Sequence, residues 1–189
     1  MLECISSNTD HLNQEVTMIA NSLKDEKVMK MIITSDTFFL QELIERGADV
    51  NGIYETGGVQ MFPLANAYSV EKAELLISSG ADLNKQNEKG QTALMLVNEP
   101  AVIEHLIKSG ADCKILDSSG RNALFYHVNN LSVLKMLVWG GANPMVKDFA
   151  GISAYSLMSD DMKEAFKVMI LELKELYNKL KENKKRKVA

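Results

Sequence analysis

Residues Thr92 to Cys113 read TALMLVNEPAVIEHLIKSGADC, and this stretch decides the fold. Thr92 is a residue type whose hydroxyl can accept from the free amides of a helix's first turn, so Ala93-Leu94 opens a short helix. The link Leu96-Val97-Asn98-Glu99-Pro100 ends in a proline, which suits the first position of a second helix because its missing N–H costs nothing there. IEHLIKSG then carries apolar residues at helical spacing, and Gly110 suits the left-handed residue that closes a helix. The stretch predicts a short helix, a tight link, a longer helix and a turn.

The same pattern recurs on both sides. Gly47-Ala48-Asp49-Val50, Gly80-Ala81-Asp82-Leu83, Gly110-Ala111-Asp112-Cys113 and Gly141-Ala142-Asn143-Pro144 follow LQELIERG, AELLISSG, IEHLIKSG and LKMLVWGG. Between them Phe62-Pro63-Leu64, Thr92-Ala93-Leu94, Asn122-Ala123-Leu124 and Ser153-Ala154-Tyr155 each open a short apolar segment. Repetition of this length means units that cannot bury their apolar faces alone and stack on their neighbours.

On these motifs the chain resembles the ankyrin-repeat family, with short, divergent units similar to those of bacterial and phage-type ankyrin proteins. The resemblance implies an all-α fold, an ankyrin-repeat solenoid of helix-turn-helix units with hairpin connections. We expect an N-terminal capping region at 1–23, with an amphipathic stretch at Asp10–Leu23. An array follows at 24–170, about five units with the first and last degenerate. A C-terminal helix extension with a basic tail occupies 171–189. Leu64, Leu94 and Leu124 are expected in an inner core row, and Leu76, Leu106 and Leu137 in an outer one. The hairpin from Asn51 to Met61 is longer than the family pattern. The family's histidine is replaced by Ala65, Met95, Phe125 and Ser156, so its role does not transfer.

Composition narrows the function. The chain has 189 residues, 46% of them hydrophobic and 24% charged, which suits a globular fold. Its net charge of -4 argues against a general nucleic-acid binder. No apolar run is long enough to span a membrane, and the first residues lack the pattern of a secretory signal. The expected location is therefore cytoplasmic. Cys4 and Cys113 have no CxxC neighbour, and His11, His105 and His127 fall in different segments, so no metal or cofactor site is expected. No phosphate-binding or nucleophile-elbow motif occurs, and no enzyme activity or small-molecule substrate is expected.

The resemblance implies a protein partner held on hairpin tips and inner helices. Matching positions are Gln86, Glu88, Lys89 and Gln91; then Leu116, Ser118, Ser119 and Arg121; then Lys147, Phe149 and Ile152. Leu116, Phe149 and Ile152 are apolar where a solvated tip would be polar, and exposed aromatic anchors dominate binding energies. Tyr54, Gln60 and Met61 of the long first hairpin form a second candidate, since insertions in repeat arrays often map to the binding face. Trp139 is either a contact on the convex face or, the favoured reading, packed under the C-terminal helix.

Phe166, Met169, Ile170, Leu173, Tyr177 and Leu180 recur at helical steps, so a long helix is expected from Asp160 to about Lys184. Its end has three open uses: folding back, weak self-association, or partner contact. Lys184, Lys185, Arg186 and Lys187 resemble a short nuclear-localisation run, which leaves a nuclear, host-directed role as the alternative location. A lone scaffold with no catalytic constellation is best used to bind and block or sequester one protein, as an inhibitor or immunity-type protein does.

Overall fold

The computed structural model describes residues 36–56 and 59–188. The expected N-terminal cap, with His11 and Cys4, lies outside them, as do the side chains of the basic run Lys184–Lys187. The chain divides into two compact units, one ending at Ala111 and the other starting at Asp112.

In the first unit, helix α1 (Thr37–Glu45) is followed by a hairpin of β1 (Tyr54–Thr56) and β2 (Val59–Met61). The strands are antiparallel, with Tyr54 opposite Met61 and Thr56 opposite Val59. A 3-10 turn (Pro63–Asn66) leads to α2 (Val70–Ser78), and α3 (Ala93–Leu96) leads to α4 (Pro100–Lys108). The long helices pack against one another, α1 on α2 and α2 on α4, while the 3-10 turn packs on α3. Leu64, Leu76, Leu94 and Leu106 are fully buried, as the expected rows require. Pro100 starts α4, as its missing N–H predicts.

The second unit repeats the plan. A 3-10 turn (Ala123–Tyr126) precedes α5 (Leu131–Trp139), and α6 (Ala154–Leu157) precedes the long α7 (Asp160–Val188). Leu124 and Leu137 are buried, α7 packs on α5, and α6 packs on the 3-10 turn. The end of α7 does not fold back: Leu176, Tyr177 and Leu180 are exposed on a continuing helix.

One terminator closes four of the helices. Gly80 has φ +90, its N–H donates to Ile77 O at 3.0 Å, and the N–H of Ala81 donates to Leu76 O at 2.9 Å. Those paired bonds satisfy carbonyls that the end of a helix leaves open. Gly47, Gly110 and Gly141 do the same. The next residue is Asp49, Asp82, Asp112 or Asn143, whose side-chain oxygen accepts from the amide two residues on, at 2.8–2.9 Å. A carbonyl oxygen serves this bond as well as a carboxylate does, which is why Asn143 fits.

Two expectations need correction. Thr92 makes no side-chain capping bond, and its hydroxyl oxygen is buried without a partner. Asn122 and Ser153 do cap, and Ser153 forms a reciprocal capping box with Ser156. Trp139 does not lie under α7: it stands in the last turn of α5 and is 56% exposed.

Candidate functional site

The hairpin tips are built on a buried side chain. In the first unit this is Asn87. Its Oδ1 accepts from the amides of Lys89 (3.0 Å) and Gln91 (2.9 Å), which bends the chain over Gly90 at φ +72. Its Nδ2 donates to Gln60 O and to Gln91 Oε1, both at 2.9 Å. The turn is thereby tied to strand β2, and the Gln60 side chain adds a bond to Glu88.

The second unit has two such tips. Asp117 Oδ1 accepts from the amides of Ser119 (2.8 Å) and Arg121 (2.9 Å), while its Oδ2 accepts from the Tyr126 hydroxyl. Asp148 Oδ1 accepts from the amides of Ala150 (3.0 Å) and Ile152 (2.9 Å). Its Oδ2 takes both Nε and Nη2 of Arg121, at 3.0 and 2.8 Å. The Ile152 amide, with Arg121 and Ala150, holds the Asp148 carboxyl below the usual carboxylate range despite its burial. A backbone bond from Phe149 N to Ser119 O (3.0 Å) completes the join.

This frame presents Phe149. The residue is 84% exposed, yet its ring is seated: Cδ1 and Cε1 lie 3.0 Å from where a Cβ on Gly120 would stand. Gly120 has φ +82, so glycine is demanded both by its backbone conformation and by the ring above it. Leu116 and Ile152 are exposed as well, with Ser118, Ser119, Ala150 and Lys147 around them in the same two turns.

The expected site residues therefore separate into two groups. Gln86, Glu88, Lys89, Leu116, Ser118, Ser119, Lys147, Phe149 and Ile152 are exposed. Tyr54 is buried, its hydroxyl accepts from Asn66 Nδ2, and burial raises its pKa, so it belongs to the core and not to a contact surface. Arg121 is committed to Asp148, and its guanidinium carbon lies 5.9 Å from the Phe125 ring centroid. Gln60 and Gln91 are spent on tying the first-unit turn to its strand, as shown above. Met61 is half-buried and lines an open groove of about 460 Å³ with Tyr68 and Leu96.

Sequence reasoning missed Asn87, Asp117 and Asp148, although a signal was present. Each is an Asn or Asp three residues before a glycine: Asn87 and Gly90, Asp117 and Gly120, Asp148 and Gly151. That spacing places a side-chain acceptor and a left-handed residue at the two ends of one turn. It also missed the role of Gly120, which depends on a ring 29 residues away (149 − 120) and so has no local signature.

Among the described residues no three His, Cys, Asp or Glu side chains gather as metal ligands would, and no helix is long and apolar enough to cross a membrane. His127 is buried and its backbone is bonded in the turn, with its N–H to Leu124 O and its carbonyl accepting from Asn130 N. Residues 61–148 match the family model for ankyrin repeats (3 copies). The glycine terminators, the paired helices and the tied hairpin turns all recur within that stretch, and residues 61–148 are an ankyrin-repeat array.

Proposed function

We propose that the chain is a non-catalytic binding module that blocks or sequesters one protein, gripping it with the hairpin tips and adjoining inner helices of its second unit. Ankyrin repeats generally mediate protein–protein interaction, and the family is typically non-catalytic. The observation that carries the finer reading is Phe149, an aromatic ring that lies over Gly120 and is left open to solvent. A large apolar side chain in water has no stabilising role in the monomer. Its burial against a partner is the kind of aromatic contact that dominates binding energy. Leu116 and Ile152 extend the apolar area, and the Arg121–Asp148 pair fixes its spacing.

The test is capture of the partner from the native cell by wild type and by Phe149→Ala/Ile152→Ala. Both residues are exposed, so the variant folds. A protein held by wild type and released by the double variant supports the surface, with an expected affinity loss of about thirtyfold or more. Undiminished capture by the variant overturns it. Blocking is then read from the partner's own activity, which should fall in proportion to occupancy.

A further inference from the structure

A second surface, unrelated to the tips, lies along α7. An open groove of about 530 Å³ is walled by Met145, Tyr155, Phe166, Ile170 and Leu171, with Lys167 among the residues that line it. Its lining is almost wholly apolar. The walls are well exposed, Met145 at 78% and Leu171 at 61%. Apolar strips of this kind on a single unit mark contact sites.

The charges beside the groove are sorted. Lys167, Lys174 and Lys181 are spaced seven apart, which sets them on nearly one line down the helix, and Lys163 starts the same line. All but Lys163 are exposed. Asp160 and Glu164 lie near the start of that line and pair with Lys163 and Lys167, while Glu172, Glu175 and Glu182 fall about 80° or more round the helix from the nearest lysines of its later part. Glu172 reaches back toward Lys135 on α5, at 3.8 Å. Lys163 and Lys167 are each paired with an acid one turn earlier, whereas among the described residues no ion pair involves Lys174 or Lys181. The line runs down the apolar strip between Ile170 and Leu171, and its part without an ion pair among the described residues, Lys174 to Lys181, spans about two turns.

We propose that this groove and lysine line dock an amphipathic, acidic segment of a partner protein, its apolar side chains in the groove and its carboxylates along Lys167, Lys174 and Lys181. A helix laid in a groove reads as apolar anchors at three- and four-residue steps, and the lysine spacing matches carboxylates one heptad apart. The charge pattern disfavours a second copy of the chain. An antiparallel α7 would bring the lysine line against its own image.

The test uses the full chain and a labelled synthetic peptide of about 20 residues, about five to six turns. The peptide carries leucines at three- and four-residue steps with glutamates on one flank, beside a scrambled peptide of the same composition. Fluorescence anisotropy should show the patterned peptide binding in the range of about 10–100 µM and the scrambled one at least about tenfold more weakly. Met145→Ala/Leu171→Ala, which leaves the charge unchanged, should weaken binding at least about fivefold, and Lys174→Glu/Lys181→Glu at least about tenfold. Raising salt from about 0.05 to 0.5 M should weaken it further. Equal binding of both peptides, or indifference to the alanine pair, overturns the proposal. So does preferential binding to phosphatidylserine-containing vesicles over the patterned peptide, which assigns the surface to a membrane. A concentration-dependent dimer in sedimentation, abolished by the alanine pair, also overturns it and assigns the surface to self-association.

Discussion

Asp148 does two jobs with one carboxylate, and they can be pulled apart. One oxygen shapes its own turn by accepting two amides; the other holds Arg121 of the neighbouring turn. Asn87 shapes its turn without a charge, so Asp148→Asn should keep the turn and lose the grip on Arg121. The carboxyl's pKa is lowered in the folded chain, so its contribution is present above the ordinary value near 3.9 and is lost as pH falls through the lower folded value. Melting of wild type and Asp148→Asn should therefore differ at pH 7 and draw together as pH falls below the ordinary carboxylate value. Gly120→Ala meets two obstacles, a φ of +82 and the Phe149 ring. We expect a loss of about 1–2 kcal/mol in denaturant titration, from backbone strain, and a displaced ring. Lys72 presents the opposite case. It is 1% exposed in α2, where its amine sits 4.6 Å from the Tyr68 ring centroid and burial lowers its pKa to about 8. At the matching place in the next two repeats stand Val102 and Val133, both buried. A lysine whose folded pKa is depressed weakens the fold at neutral pH, and the penalty fades between about 8 and the ordinary 10.4. Lys72→Met should stabilise by about 1–3 kcal/mol at pH 7, with the gap narrowing by pH 10.

Among elements, the short inner helices are the weakest in their own right, since one turn of four residues gains little from helical bonds alone. Their place is set by packing of Leu64, Leu94 and Leu124 and by their caps. The cap of α3 is defective, because the Thr92 hydroxyl is buried and unbonded. Thr92→Val keeps the shape and removes the unpaired group, and should raise stability by about 1 kcal/mol in chemical denaturation. The helices, their glycine stops and the start of α4 at Pro100 were legible because each rests on local chemistry: spacing, a missing N–H, a left-handed residue. The tip geometry was legible only in part. Phe149, Leu116 and Ile152 stand out as apolar residues at polar places, but Arg121 and Tyr54 reveal their internal roles only through partners distant in the chain. Trp139 shows the same gap, since nothing near it in sequence indicates that α7 leaves it uncovered. In α7 itself, amide hydrogen exchange should be slow around Phe166 and Met169 and fast beyond Leu173, where the side chains face solvent.

Across the whole molecule, each compact unit carries its own buried leucines, Leu106 in the first and Leu137 in the second. Alanine at either should cost about 2–5 kcal/mol in a denaturant titration, because neither site is open to water that could fill the space left. Among the described residues, the large apolar side chains left in solvent are concentrated in the second unit, including Leu116, Trp139, Met145, Phe149 and Leu171. A unit whose surface is this apolar is the one expected to meet other molecules. Cys113 lies inside the turn that Asp112 closes on the Lys114 amide; it is 2% exposed, its thiol pushed to about 11 by burial and by Asp112. At neutral pH such a sulfur is both hidden and protonated, and it reacts only in the moments when its turn comes undone. In a Cys4→Ser background, the rate at which it takes up a maleimide is therefore a clock inside the protein. It ticks with each local opening, and it should slow when a partner clamps the second unit shut.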